Sequence, residues 1–166
     1  MRDRPLRADG HTPRASAPES ARSRELSKDR WLAPKYFRAA VQRAVAAAAH
    51  AVGALVVADN TFLSPVWQQP IALGADAVVH STTKYLNGHS DVVGGAVIAA
   101  RPDLHERLAW WANCVGVTGA PFDSYLTLRG LRTLHARMRA HGESTVQVVD
   151  LLAKHPAVRR VYYPGL

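Results

Sequence analysis

A single cysteine, Cys114, stands among 166 residues. No disulfide can form within the chain, and the expected setting is a reducing compartment, by default the cytoplasm. Cys114 itself reads as a small buried hydrophobe, because no histidine is spaced to turn it into a nucleophile. The eight histidines include no pair four apart and no neighbouring cysteine pair, so no metal site is expected. Long apolar runs are missing too. The longest, Val41 to Val57, is broken by Gln42, Arg43, His50 and Gly53, which excludes a membrane span. It also lies too far from the first residue to be a signal peptide.

Charge is scarce where a fold would be. The chain carries a net charge of +8, which by itself would suggest nucleic acid. Residues 1–50 hold eleven Lys/Arg against five Asp/Glu, whereas residues 51–166 hold ten against eight. The basicity therefore belongs to a tail and the remainder is close to neutral, so a nucleic-acid partner is not favoured. Residues 1–34 mix Arg, Pro, Ser, Ala, Asp and Gly without an apolar period and are expected to be a disordered basic tail. Residues 35–166 have enough chain for one core.

What is present begins with an Ala-rich helix expected from Lys35 or Tyr36 to Ala51 and ended by Val52-Gly53. Ala54–Ala58 reads as a strand, and Pro65–Leu73 as a short helical region closed by Gly74. Asp76–His80 and Val92–Ala99 read as two further strands, the last interrupted by Gly94-Gly95. Pro102 opens a helix to about Cys114, with Asp103 and Glu106 near the positive end of its dipole. Pro121 opens another, whose Tyr125, Leu128, Leu131, Leu134 and Met138 form one apolar stripe and predict a core face. Ser144–Lys154 is expected as a separate amphipathic helix and Val158–Tyr163 as a short final strand. Trp110 and Trp111, consecutive on a helix, cannot share a face, which predicts one in the core and the other at an interface.

The two stretches Val56–Thr61 and Val78–Tyr85 organise the rest. Each is an apolar, β-branched run that stops at polar residues, and the linker between them allows a crossover. That is the pattern of two neighbouring parallel strands buried on both faces. Their C-terminal ends would meet where open α/β sheets hold ligands, an acid (Asp59) facing a lysine (Lys84). Lys84, if partly desolvated, is an amine nucleophile able to form a Schiff base. Ser81 and Thr83, with Thr82, offer hydroxyls for a phosphate beside it. Asp59 would suit a protonated ring nitrogen, although a turn or cap role before Asn60-Thr61 is the reading its residues alone favour.

Ala54–Phe62, Pro70–Gly74 and His80-Ser81-Thr82-Thr83-Lys84-Tyr85-Leu86-Asn87-Gly88-His89-Ser90-Asp91 resemble the cofactor-lysine segment of the transsulfuration (Cys/Met metabolism) family of pyridoxal-phosphate enzymes. Trp110–Asn113, Gly116–Gly119 and Phe122–Leu134 are most similar to the cystathionine gamma-synthase branch. The resemblance runs from about Ala47 to Leu166. It implies an α/β fold, part of the large cofactor-binding domain of a fold-type I enzyme, with a mixed, mostly parallel sheet and flanking helices. It implies pyridoxal 5'-phosphate as cofactor. Lys84 becomes the Schiff-base lysine and proton shuttle, Asp59 the carboxylate on the ring nitrogen, and Ser81 and Thr83 the phosphate-side hydroxyls. The implied reaction is replacement of the acyl group of an O-acylhomoserine by cysteine. Cystathionine beta- or gamma-lyase and homoserine sulfhydrylase chemistry are the alternatives within the family. The implied assembly is a homotetramer.

The family's N-terminal arm, early phosphate loop, ring-stacking tyrosine and C-terminal domain with its carboxylate-binding arginine have no matching positions here. The expectation is a truncated chain with half a cofactor site, inactive alone. A non-catalytic pyridoxal-phosphate-binding fragment, or an assembly partner for a complete enzyme, is the reading from another class.

Overall fold

The computed structural model describes residues 32–163, with side chains described from residue 39. The disorder expected for residues 1–34 falls, for residues 1–31, outside the described residues.

Helix α1 (Leu32–Ala51) is Ala-rich from Ala39 on, a composition whose propensity favours helix. It stops at Gly53, which takes a φ of +74° that a side chain would resist. Gln42, Ala46 and His50, spaced four apart, share one face and dock the helix on the chain beyond the first strand. Gln42 Nε2 donates to the Pro70 carbonyl at 3.1 Å, and Ala46 is buried against Gly74. The His50 ring donates through Nε2 to Asp76 Oδ2 at 2.9 Å. Two of the residues that broke the apolar run in the sequence, Gln42 and His50, therefore help to seat the helix.

Asp76, which is buried, also accepts the Val56 N–H at 2.8 Å. That hydrogen bond first, and then the one from His50, hold its carboxyl below the ordinary 3.8. Because the folded value is depressed, this stabilisation is complete above the ordinary value and is lost as pH falls through the folded one. Asp76→Asn is accordingly expected to flatten the acid limb of a plot of unfolding midpoint against pH, measured by circular dichroism.

Strand β1 (Val57–Asp59) is joined through α2 (Ser64–Trp67) and a 3₁₀ turn (Pro70–Leu73) to β2 (Ala77–Ser81). The two strands run parallel with Val57 opposite Ala77 and Asp59 opposite Val79, as their patterns predict. β3 (Gly95–Ala99) lies antiparallel on the other side of β2, with Ala77 opposite Ala99 and Ser81 opposite Gly95. The sheet is thus mixed, one parallel and one antiparallel pair in the order β1-β2-β3. Burial on both faces holds for β2, where Ala77, Val78 and His80 are enclosed, but not for its neighbours. Val57 and Val97 are each more than half exposed.

Beyond the sheet, α3 (Pro102–Val115) packs on β3. The single stripe expected from Tyr125 to Met138 divides between α4 (Pro121–Leu131) and α5 (Leu134–Lys154). The elbow at Arg132-Thr133 aims Leu134 and Met138 into the core with Leu86, while Tyr125 and Leu128 stay exposed. The break expected before Ser144 is absent. Gly142 does not end the helix; it leaves room for the Trp67 ring, which a Cβ there would meet at 2.9 Å.

Three more expectations are corrected. Residues 158–163 form no strand. Cys114 is exposed. Trp110 and Trp111 are both exposed, at 58% and 57%, and lie edge to face at 4.8 Å.

Candidate active site

The C-terminal ends of the two parallel strands are stitched together. The Asn60 N–H donates to the Val79 carbonyl at 3.0 Å, and the Ser81 N–H donates to Thr61 Oγ1 at 2.8 Å. Thr61 closes a second contact within its own turn, its N–H donating to Asp59 Oδ1 at 2.9 Å. The turn role considered for Asp59 is therefore real, yet it leaves the carboxylate exposed at the sheet edge rather than buried. The Thr61 hydroxyl, then the Thr61 N–H, hold its carboxyl below the ordinary 3.8, with attraction to His80 acting the same way against slight desolvation. At neutral pH it is an anion. His80, at the end of β2, is buried, and that burial lowers its pKa, opposed by Asp59; it is neutral at the same pH. Thr61→Val removes the hydroxyl that accepts the Ser81 N–H and that holds the Asp59 carboxyl down. A carboxyl titration followed by NMR is expected to show Asp59 moving up toward its ordinary value.

From Ser81 the chain enters a π-helical turn, Thr82–Leu86. Inside it Lys84 has a non-helical backbone (φ −86°, ψ −126°) and its side chain is exposed. The partial desolvation expected for Lys84 is not present among the described residues, since nothing described covers this edge.

The residues on either side of Lys84 are held. Thr83 Oγ1 accepts the Gly94 N–H at 3.0 Å, which ties the turn to the start of β3. Thr82 is buried and its N–H donates to the Gly94 carbonyl at 2.9 Å. After Lys84, Asn87 is fully buried and its Nδ2 donates to Asp91 Oδ1 at 2.7 Å. The His89 ring donates back to the Asn87 carbonyl at 2.6 Å. Asp91 in turn faces Arg129 of α4 at 3.4 Å.

Of the residues singled out from the sequence, Asp59, Ser81, Thr83 and Lys84 all lie at one edge of the sheet, on segments joined by these hydrogen bonds. The partners of Thr61, Asn87 and Arg137 were missed. Thr61 and Asn87 lie inside the motif, but nothing in their spacing says what they bond. Arg137 is 53 positions from Lys84 in sequence and carries no local signal at all.

A protein-family model described as Cys/Met metabolism PLP-dependent enzyme matches residues 39–166. This chain belongs to that family. It is 59% identical over 118 residues to cystathionine gamma-synthase of Escherichia coli (strain K12), covering 71% of this chain and 31% of that protein. Cystathionine gamma-lyase of Dictyostelium discoideum is 50% identical over 124 residues, covering 75% and 32%. Among solved structures, cystathionine gamma-synthase from Xanthomonas oryzae pv. oryzae in complex with aminoacrylate and cysteine superposes with a TM-score of 0.74 at 61% identity, covering 75% of this chain and 32% of that one. The chain spans about a third of the length of these relatives. The family is pyridoxal-phosphate dependent, and the donor set described above fits that cofactor: an ionised carboxylate for a protonated ring nitrogen, an accessible amine, and hydroxyls on the segment between them.

Proposed function

We propose that this chain captures pyridoxal 5'-phosphate covalently through Lys84, as the lysine-bearing part of a transsulfuration enzyme most like cystathionine gamma-synthase. The observation that carries this reading is the pair of hydrogen bonds from Asn60 and Ser81 across the strand ends, which bind the Asp59 turn and the Lys84 turn into one edge. Asp59 would hold the ring nitrogen, staying ionised because Thr61 bonds it. Ser81 and Thr83 would face the phosphate, Thr83 while bonded to Gly94. Bound there, the cofactor supplies an electron-withdrawing ring that stabilises negative charge at the Cα of an amino acid. Lys84 would then hold and return the proton at that atom.

In the whole protein the proposed reaction is replacement of the acyl group of an O-acylhomoserine by cysteine, with the beta- and gamma-lyase reactions as the alternative. The 50% identity to a gamma-lyase keeps that alternative close. The proposed assembly is a homotetramer in the cytoplasm, a compartment that suits one exposed, unpaired cysteine. Among the described residues no helix is long and apolar enough to cross a membrane. The chain spans about a third of the relatives' length, so the reaction and the assembly are proposed for the whole protein.

The test is reductive trapping. The chain is incubated with pyridoxal 5'-phosphate, reduced with borohydride and mapped by mass spectrometry. Pyridoxyl label concentrated on Lys84 is expected; label spread evenly over Lys28, Lys35, Lys84 and Lys154 overturns the reading.

A further inference from the structure

Lys84 sits between two anchored residues, and the anchor on its C-terminal side comes from a distant helix. The Arg137 guanidinium, half-buried on α5, donates from Nη1 to the Tyr85 carbonyl at 2.9 Å and from Nη2 to the Gly130 carbonyl at 2.7 Å. Its Nε donates to Thr133 Oγ1 at 3.0 Å. Burial lowers its pKa, yet a guanidinium remains protonated in proteins. All three of these hydrogen bonds go to neutral oxygens rather than to a carboxylate. A partly desolvated cation in such a setting costs stability relative to an apolar side chain of similar size. What it gives in return is geometric: a rigid planar fork can bridge two carbonyls that a point charge cannot.

The carbonyl chosen matters. Within the turn, Asn87 N–H donates to Thr82 O and Gly88 N–H donates to Lys84 O. Tyr85 O is the acceptor next along, immediately after the residue whose backbone leaves the helical ladder. Gly88 takes a φ of +71°, and a Cβ there would overlap Arg137 Nη1. The glycine thus serves both the turn and the guanidinium. On the other side Thr83 is bonded to Gly94. The reactive side chain is left exposed while the residue on each side of it is fixed.

We propose that Arg137 is a positioning residue for Lys84: its fork sets the direction in which the lysine leaves the turn. The inference rests on the reading that Lys84 captures pyridoxal phosphate. The test uses the full chain with free pyridoxal 5'-phosphate and borohydride, at a temperature where circular dichroism shows each variant folded. It reads the ratio of pyridoxyl label on Lys84 to that on Lys154 within the same molecules.

Arg137→Lys keeps charge and stem but not the fork. It is expected to lower the ratio on the order of tenfold while leaving Lys154 labelling unchanged. Arg137→Ala is expected to do the same, and Gly88→Ala, which pushes the guanidinium aside, to lower the ratio less in an Arg137→Ala background than in the native one. A merely structural role would shift the unfolding midpoint and leave the ratio alone. Should Arg137→Ala not fold, the Arg137→Lys and Gly88→Ala ratios decide. Lys84 preference in the native chain with an unchanged ratio in Arg137→Lys overturns the positioning role and spares the cofactor reading. No Lys84 preference in the native chain overturns both.

Discussion

Lys84→Ala is expected to reduce to baseline the absorbance near the visible edge that the chain acquires with pyridoxal 5'-phosphate, and to leave no enriched site for borohydride-trapped label. The size of this effect follows from chemistry. Schiff-base formation needs an amine nucleophile, and the chain's other lysines, Lys28, Lys35 and Lys154, lie far from the motif in sequence. Lys154 is engaged at 2.8 Å with Asp150 on the last turn of α5. Circular dichroism should be unchanged, because the Lys84 side chain is exposed and its backbone already lies outside helical geometry. Retention of the absorbance in Lys84→Ala would transfer the chemistry to another amine and remove the proposed site. Asp59→Asn makes the complementary case. It keeps the amine and removes the anion, so the adduct should still form on Lys84 but be held more weakly.

Gly130→Ala is expected to lower the unfolding midpoint on the order of 10 °C, with the sign opposite to helix propensity. Gly130 lies inside α4, where alanine ordinarily stabilises by roughly 0.5–1 kcal/mol. Here a Cβ would run into the backbone of Asn87, overlapping its carbonyl oxygen and meeting its carbonyl carbon at 2.8 Å. No rotamer change relieves a clash with backbone, so the cost belongs at or above the upper end of the roughly 1–3 kcal/mol typical of overpacking. Asn87 is fully buried and holds Asp91, which leaves the loop little freedom to retreat. The same substitution would disturb the Gly130 carbonyl that Arg137 grips at 2.7 Å, so Lys84 labelling should fall along with stability. A midpoint equal to or above the native one would show that α4 does not pack against the lysine loop at this distance.

The family, the parallel pairing of β1 with β2 and the meeting of their C-terminal ends were legible in the sequence. The reason is that each depends on short-range pattern. An apolar run that ends at polar residues says where a strand stops. Helix limits set by Pro102, Pro121 and Gly53 were legible on the same terms.

Tertiary structure alone decided three things. It broke the Tyr125–Met138 stripe, because the elbow at Thr133 and the Gly130 carbonyl respond to packing on the lysine turn rather than to local propensity. It left Cys114, Trp110, Trp111, Val57 and Val97 exposed, since burial depends on what lies across from a residue and not on its own character. And it brought Arg137 to Tyr85, a contact across 52 positions between a half-buried cation and a main-chain oxygen. Every residue offers a carbonyl of the same kind, so no pattern of side chains could have marked which one the guanidinium would take.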